Sequence, residues 1–119
     1  MGISSVFRGE SGTKYTYLLV SHDNLDALTL QAGNFVFARS MIGEPVVIYA
    51  GEGANLRHAF TPDMVALWEV ARREHSANMI LIHIHGRAPA EERHREWMDL
   101  VKGNRPPLNA SDLDELDQE

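Results

Sequence analysis

Cysteine is absent from the 119-residue chain. Disulfides, thiolate metal sites and a cysteine nucleophile are therefore excluded. Long apolar runs are absent too. None approaches the roughly 20 residues needed to span a bilayer, and the N-terminus has no signal-like apolar segment. The expectation is a cytoplasmic protein with no membrane partner. An excess of basic charge is also missing: 11 Lys and Arg stand against 17 Asp and Glu, for a net charge of −6. The last eight residues, DLDELDQE, hold five of those acids and no base. Removing them leaves 12 acids against 11 bases, so the folded part is nearly neutral. Neutrality argues against a strong non-specific grip on nucleic acid, which normally shows as a basic patch. Residues 112–119 read as a solvated, disordered acidic tail.

What remains is an ordinary globular composition, 44% hydrophobic and 24% charged, in a length that suits one domain over residues 1–111. SVFRGESGTKYTYLLVS reads as an N-terminal β-hairpin turning near residues 9–12. Residues 21–33 read as a connector with at most one helical turn. NFVFARS (34–40) and EPVVIYA (44–50) form a second hairpin. Strand 44–50 should leave through a tight glycine turn at Gly51 and Gly53, and Asn55 should cap a short helix.

Thr61-Pro62-Asp63 is a strong helix start, with an N-cap, a proline at the first position and an acid in the first turn. Met64, Leu67, Trp68 and Ala71 form that helix's apolar face. NMILIHIH (78–85) is the clearest strand. Pro89 opens a last helix, which should end at Gly103. Its apolar stripe of Ala90, Trp97, Leu100 and Val101 turns Trp97 inward and Glu96 toward solvent. The fold class expected is α/β of the α+β kind: a small antiparallel sheet of two hairpins plus a central strand, flanked by helices.

Three stretches carry a resemblance: GNFVFAR (33–39), VVIYAGEGANL (46–56) and WMDLVKGNRPPLN (97–109). In order and spacing they resemble the motifs of the GIY-YIG nuclease superfamily, over about residues 31–109, with an extra N-terminal hairpin as in a small bacterial branch. The resemblance implies phosphodiester cleavage with one divalent metal, Mg or Mn. It also implies two tyrosines, an arginine and a glutamate at the site. Those positions fall on Phe35, Tyr49, Ala59 and Trp97. Three of the four have lost the required chemistry, which implies a catalytically inactive domain with no cofactor, acting as a binding module for nucleic acid, a protein or a small molecule. The alternative is a divergent nuclease using Tyr49 with Glu52, Arg57 or Glu96. On either reading Phe35, Tyr49 and Trp97 should converge in one pocket.

His83 and His85 stand two apart on a strand and so share a face. Such a pair binds zinc when further ligands approach, with His58, His75 and His94 as candidates. No carboxylate spacing nearby completes the set, so a polar edge face, or two imidazoles hydrogen-bonded to the backbone, is the expected reading and no metal is assigned to the pair. A histidine triad would need a third imidazole where Arg87 stands. HIHGRAP also falls short of the His-x-His-Pro pattern of zinc isopeptidases.

Overall fold

A computed structural model describes residues 4–20, 30–40 and 45–118 of the chain. The architecture is α+β. Strands β1 (Ser4–Arg8) and β2 (Lys14–Val20) form the first hairpin, and β3 (Gly33–Arg39) pairs with β4 (Val46–Gly53) as the second. Strand β5 (Met79–Ile84) enters last and lies in the middle. The spatial order is β1-β2-β5-β3-β4, and every neighbouring pair is antiparallel. The run Met-Ile-Leu-Ile of β5 suits a strand covered on both faces. The connector expected at residues 21–33 and the turn of the second hairpin fall largely outside the described residues.

Among the described residues four α-helices cover the sheet: α1 (Leu56–Ala59), α2 (Pro62–His75), α3 (Ala90–Asn104) and α4 (Ala110–Leu116). The two-residue period of the strands sorts the core into two halves. Phe35, Phe37, Ile80 and Ile82 face α1 and α2, with Leu56 and Trp68 packed on them. Phe7, Tyr17, Val36 and Leu81 face α3 and α4. A bulge opposite Phe37 and Ala38 breaks the alternation in β4, so Ile48 and Tyr49 both join the α1/α2 half. The starts of α1 and α2 follow local chemistry. Asn55 Oδ1 accepts from the His58 N–H at 3.2 Å, and Thr61 Oγ1 accepts from the Met64 N–H at 3.2 Å.

Several expectations are corrected. Strand β4 continues through Gly51 and Gly53 instead of turning there. Gly51 is needed for a different reason: a Cβ at that position would run into the Phe35 ring. Helix α3 passes Gly103 and ends at Asn104, with Arg105 in the left-handed cap conformation (φ 47°).

The acidic tail is not a disordered appendage. It folds into α4, which buries Leu113 and Leu116 against the α3 side of the sheet. The three-residue spacing of those leucines gives the segment an inward face; Asp114, Glu115 and Asp117 are exposed, while the half-buried Asp112 accepts from Asn109 Nδ2 at 2.9 Å. Asp117 pairs with Arg105 at 2.7 Å. Just before α4, the fully buried Asn109 accepts from the Ala50 N–H at 2.8 Å and donates to the Ala50 carbonyl at 3.0 Å. That clamp closes part of the outer edge of β4. Among the described residues, no helix is long and apolar enough to cross a membrane.

Candidate metal centre

The α3 side of the sheet carries a polar row at one end. Asn34 on β3 pairs across the ladder with His83 on one side and with Glu52 on the other. Residues 81, 83 and 85 alternate onto the same face, so His83 and His85 follow Leu81 toward α3. Their ring centroids are 4.7 Å apart. The N–H of His85 donates to the Ala32 carbonyl at 2.9 Å, which holds the residue just past β5.

Helix α3 returns over β5 and lowers Glu96 onto this row. Its side chain is 5% exposed. Both carboxylate oxygens lie 2.9 Å from His83 Nδ1, and Oε1 lies 3.1 Å from His85 Nε2. The fully buried Tyr17 donates its hydroxyl proton to Glu96 Oε2 at 2.6 Å. The Tyr17 ring is held between Phe7 and His83, with centroids at 5.6 and 5.5 Å. Burial, then the Glu96 charge, push the Tyr17 hydroxyl well above its ordinary value, so it stays a donor. The hydrogen bond to Glu96 raises His83, against a smaller opposing effect of burial.

This overturns the expectation that Glu96 faces solvent. The inward stripe of α3 is Glu96, Leu100 and Val101, with Trp97 half-buried at its side. A stripe more than 100° wide accepts both neighbours. Trp97 packs on the α3 side and donates its indole N–H to the Ala50 carbonyl at 2.8 Å. Phe35 and Tyr49 are on the other side, so the expected convergence of Phe35, Tyr49 and Trp97 does not occur.

Phe35, Tyr49 and Ala59 do line one recess, of about 350 Å³, together with Gly51, Glu52 and His58. Arg57 is exposed on α1 and does not line it. Glu52 sits at its rim, but its carboxylate reaches over to α3: Oε1 lies 3.3 Å from Arg93 Nε and Oε2 lies 2.6 Å from His94 Nδ1. Of the pairings in the nuclease alternative, Tyr49 and Glu96 occupy opposite faces, whereas Tyr49 and Glu52 share the recess.

His83, His85 and Glu96 form the group whose donor atoms lie mutually within 4.8 Å. A zinc-like ion about 2.0–2.2 Å from each donor needs them roughly 3.2–3.5 Å apart. The separations of 2.9 and 3.1 Å between Glu96 and the imidazoles need to open by only a few tenths of an ångström. With Oε1 given to a metal, Oε2 keeps its bond from Tyr17, the kind of outer support that orients metal-ligating carboxylates. Nearby, Asn34 is fully buried and gives its amide N–H to the Arg93 carbonyl at 3.1 Å. Its Oδ1 is a buried acceptor with no protein donor among the described residues, a setting in which an ordered water is expected. Neither His58, His75 nor His94 belongs to the group. The missing ligand is a carboxylate 13 residues after His83, brought back by the turn between β5 and α3.

No protein-family model, no curated protein and no solved structure matches this chain.

Proposed function

We propose that the protein is a metal-dependent hydrolase with one divalent ion, of zinc type, held by His83 Nδ1, His85 Nε2 and Glu96. The observation that carries this reading is the nearly buried Glu96 carboxylate, which meets two imidazoles from one strand face and a buried tyrosine hydroxyl. Two histidines and one glutamate are a known catalytic zinc set, and three protein ligands leave a fourth position for water or substrate. His83 is about one-third exposed (34%), which supplies access from solvent. A bound ion would polarise a carbonyl or phosphoryl oxygen and lower the pKa of its water. Tyr17 fixes the carboxylate, and the backbone bond of His85 to Ala32 fixes the segment just past β5. Both leave the ligands preorganised.

The test is metal stoichiometry. Purified protein, stripped and titrated with Zn²⁺ in a calorimeter, should take up one ion. Glu96→Gln and His85→Ala should each abolish uptake while keeping a cooperative unfolding transition. Wild-type protein that takes up no ion, with the same titration curve as these variants, marks a metal-free ionic cluster and sinks the proposal.

A second reading keeps the GIY-YIG resemblance: an inactive relative that binds nucleic acid or protein through the Phe35–Tyr49–Ala59 recess. The meeting of those three residues favours it. Tyr49→Ala would weaken such binding and leave metal uptake unchanged, whereas Glu96→Gln would do the reverse.

A further inference from the structure

We infer that Arg93 is an anion-recognition residue beside the metal centre, and that the site takes substrates bearing a carboxylate close to the group that meets the metal. The inference rests on the metal-centre reading above. Arg93 lies three residues before Glu96 on α3, a spacing that puts side chains on one face with Cβ atoms roughly 5–6 Å apart. Its side chain is only 12% exposed, unusual for an arginine. The residue is fixed twice. Its carbonyl accepts from Asn34 Nδ2 at 3.1 Å, and its Nε lies 3.3 Å from Glu52 Oε1. Asn34 is itself the ladder partner of His83, so one amide ties Arg93 and the metal-ligating strand together.

Among the described residues, the side-chain hydrogen bond of Arg93 uses its Nε edge and none engages the outer Nη edge. Those nitrogens are not among the buried unsatisfied atoms, so they reach solvent. A guanidinium with its inner edge anchored and its outer edge open is suited to a planar carboxylate, which it binds with two parallel N–H donors. Glu52, itself held by His94 at 2.6 Å, restrains the fork and leaves less of its freedom to be lost on binding. A ligand that reaches both the metal and Arg93 carries two separated acceptor groups, as a short dicarboxylate does.

The experiment uses the full chain loaded with Co²⁺, whose visible bands report the ligands around the ion. Acetate, succinate and succinamic acid (the half-amide) are titrated in turn. Absence of the cobalt bands means failure of the metal centre itself, and this inference falls with it. With the bands present, succinate should perturb them at concentrations about tenfold or more below those needed for acetate, and the half-amide should behave like acetate. In Arg93→Gln the succinate advantage should vanish, with the bands of the ligand-free protein intact. Arg93→Lys should restore part of it, because charge returns without the planar fork. Equal response to the three ligands in the wild type, or an undiminished succinate preference in Arg93→Gln, overturns the assignment. An equal response in the wild type overturns the assignment even where a variant fails to fold, and Arg93→Lys carries the positive test where Arg93→Gln does not fold.

Discussion

Tyr17 and Glu96 meet between β2 and α3, with the phenol donating to the carboxylate at 2.6 Å from a fully buried position. The bond joins the first hairpin to the last long helix. Oε2 takes the phenol and also lies 2.9 Å from His83 Nδ1, while Oε1 meets both imidazoles.

Tyr17→Phe keeps the ring packing on Phe7 and His83 and removes only this donor. The Glu96 oxygen then loses a partner in a nearly dry site. The expected loss is about 1–3 kcal/mol of stability. Metal affinity should also fall by about 10–100-fold, as when an outer-sphere partner of a ligand is removed. Denaturant melts and zinc titrations of the variant check both. Unchanged affinity together with lowered stability would restrict Tyr17 to a structural role.

The raised pKa of His83 gives metal uptake a pH dependence. A metal ligand must be deprotonated, so zinc should displace a proton from His83 at pH values below its raised pKa. Affinity should rise with pH until the raised pKa is passed. The same shift stabilises the metal-free fold. That contribution is full below the unfolded-state value of about 6.5 and is lost as pH rises through the folded-state value. Calorimetry in buffers of different ionisation enthalpy should show proton release on zinc binding, and less of it at higher pH.

The sheet and the helix starts were legible because their signals are local. Thr61 and Asn55 cap through their own side chains, and β5 declares itself by an apolar run. Glu96 was not legible. Its burial depends on a phase of α3 that apolar residues alone assign to Trp97, and a carboxylate reads as solvent-facing until its partners Tyr17, His83 and His85 are known to lie beneath it. Those partners come from two other strands, 11 to 79 residues away. The tail misled for a related reason. Five acids outweigh two leucines in composition, yet Leu113 and Leu116 alone decide where the segment goes. Gly51 is required by the fold, but not by a strand-exit turn, since β4 runs on through Gly53. Its constraint is the Phe35 ring on the neighbouring strand, which no local pattern reports.

That constraint predicts a rescue. Gly51→Ala should cost about 1–3 kcal/mol through overpacking against Phe35. Phe35→Leu alone should also destabilise, because it shrinks a fully buried aromatic. Combined, the two should be less harmful than their sum, since the leucine vacates the space that the new methyl needs. Urea melts of the four proteins measure the coupling. Strict additivity would mean that the ring moves aside without cost.

Truncation before Ala110 removes α4 and uncovers the core it caps. Leu113→Ala and Leu116→Ala should each cost about 2 kcal/mol, at the low end for leucines because both keep some exposure. For a domain of this size that shifts the melting temperature by roughly 4–8 °C per kcal/mol. Asp114→Asn, by contrast, alters only an exposed acid on the outer face of α4 and should leave the melting temperature within a degree or so. A truncated protein that melts with the full chain would return the segment to the status of a solvated tail.

Asp99 makes the acid limb of the stability curve predictable. Burial pushes its carboxyl up, but hydrogen bonds from Ser11, from Tyr15 and from backbone N–H groups outweigh burial, and its pKa is lowered overall. The contacts are short: Ser11 Oγ at 2.7 Å, Tyr15 Oη at 2.7 Å and the Ser11 N–H at 2.9 Å. They bind the turn of the first hairpin to α3. A lowered folded-state pKa contributes stability above the unfolded value of about 3.9, and that contribution disappears as pH falls through the folded value. Asp99→Asn keeps the shape and removes the charge. Its deficit relative to wild type should therefore be largest at neutral pH and should shrink steadily below about pH 4. Tyr15 supplies the alkaline counterpart: burial first, then its bond to Asp99, push its hydroxyl up to about 12. That contribution is full below about pH 10 and is lost as pH rises toward the folded value, so in Asp99→Asn the Tyr15 titration should begin at lower pH. Urea melts between pH 3 and pH 11, paired with ultraviolet titration of the tyrosines, read both limbs. A deficit that stays constant across the acid range would mean that Asp99 acts through its shape alone.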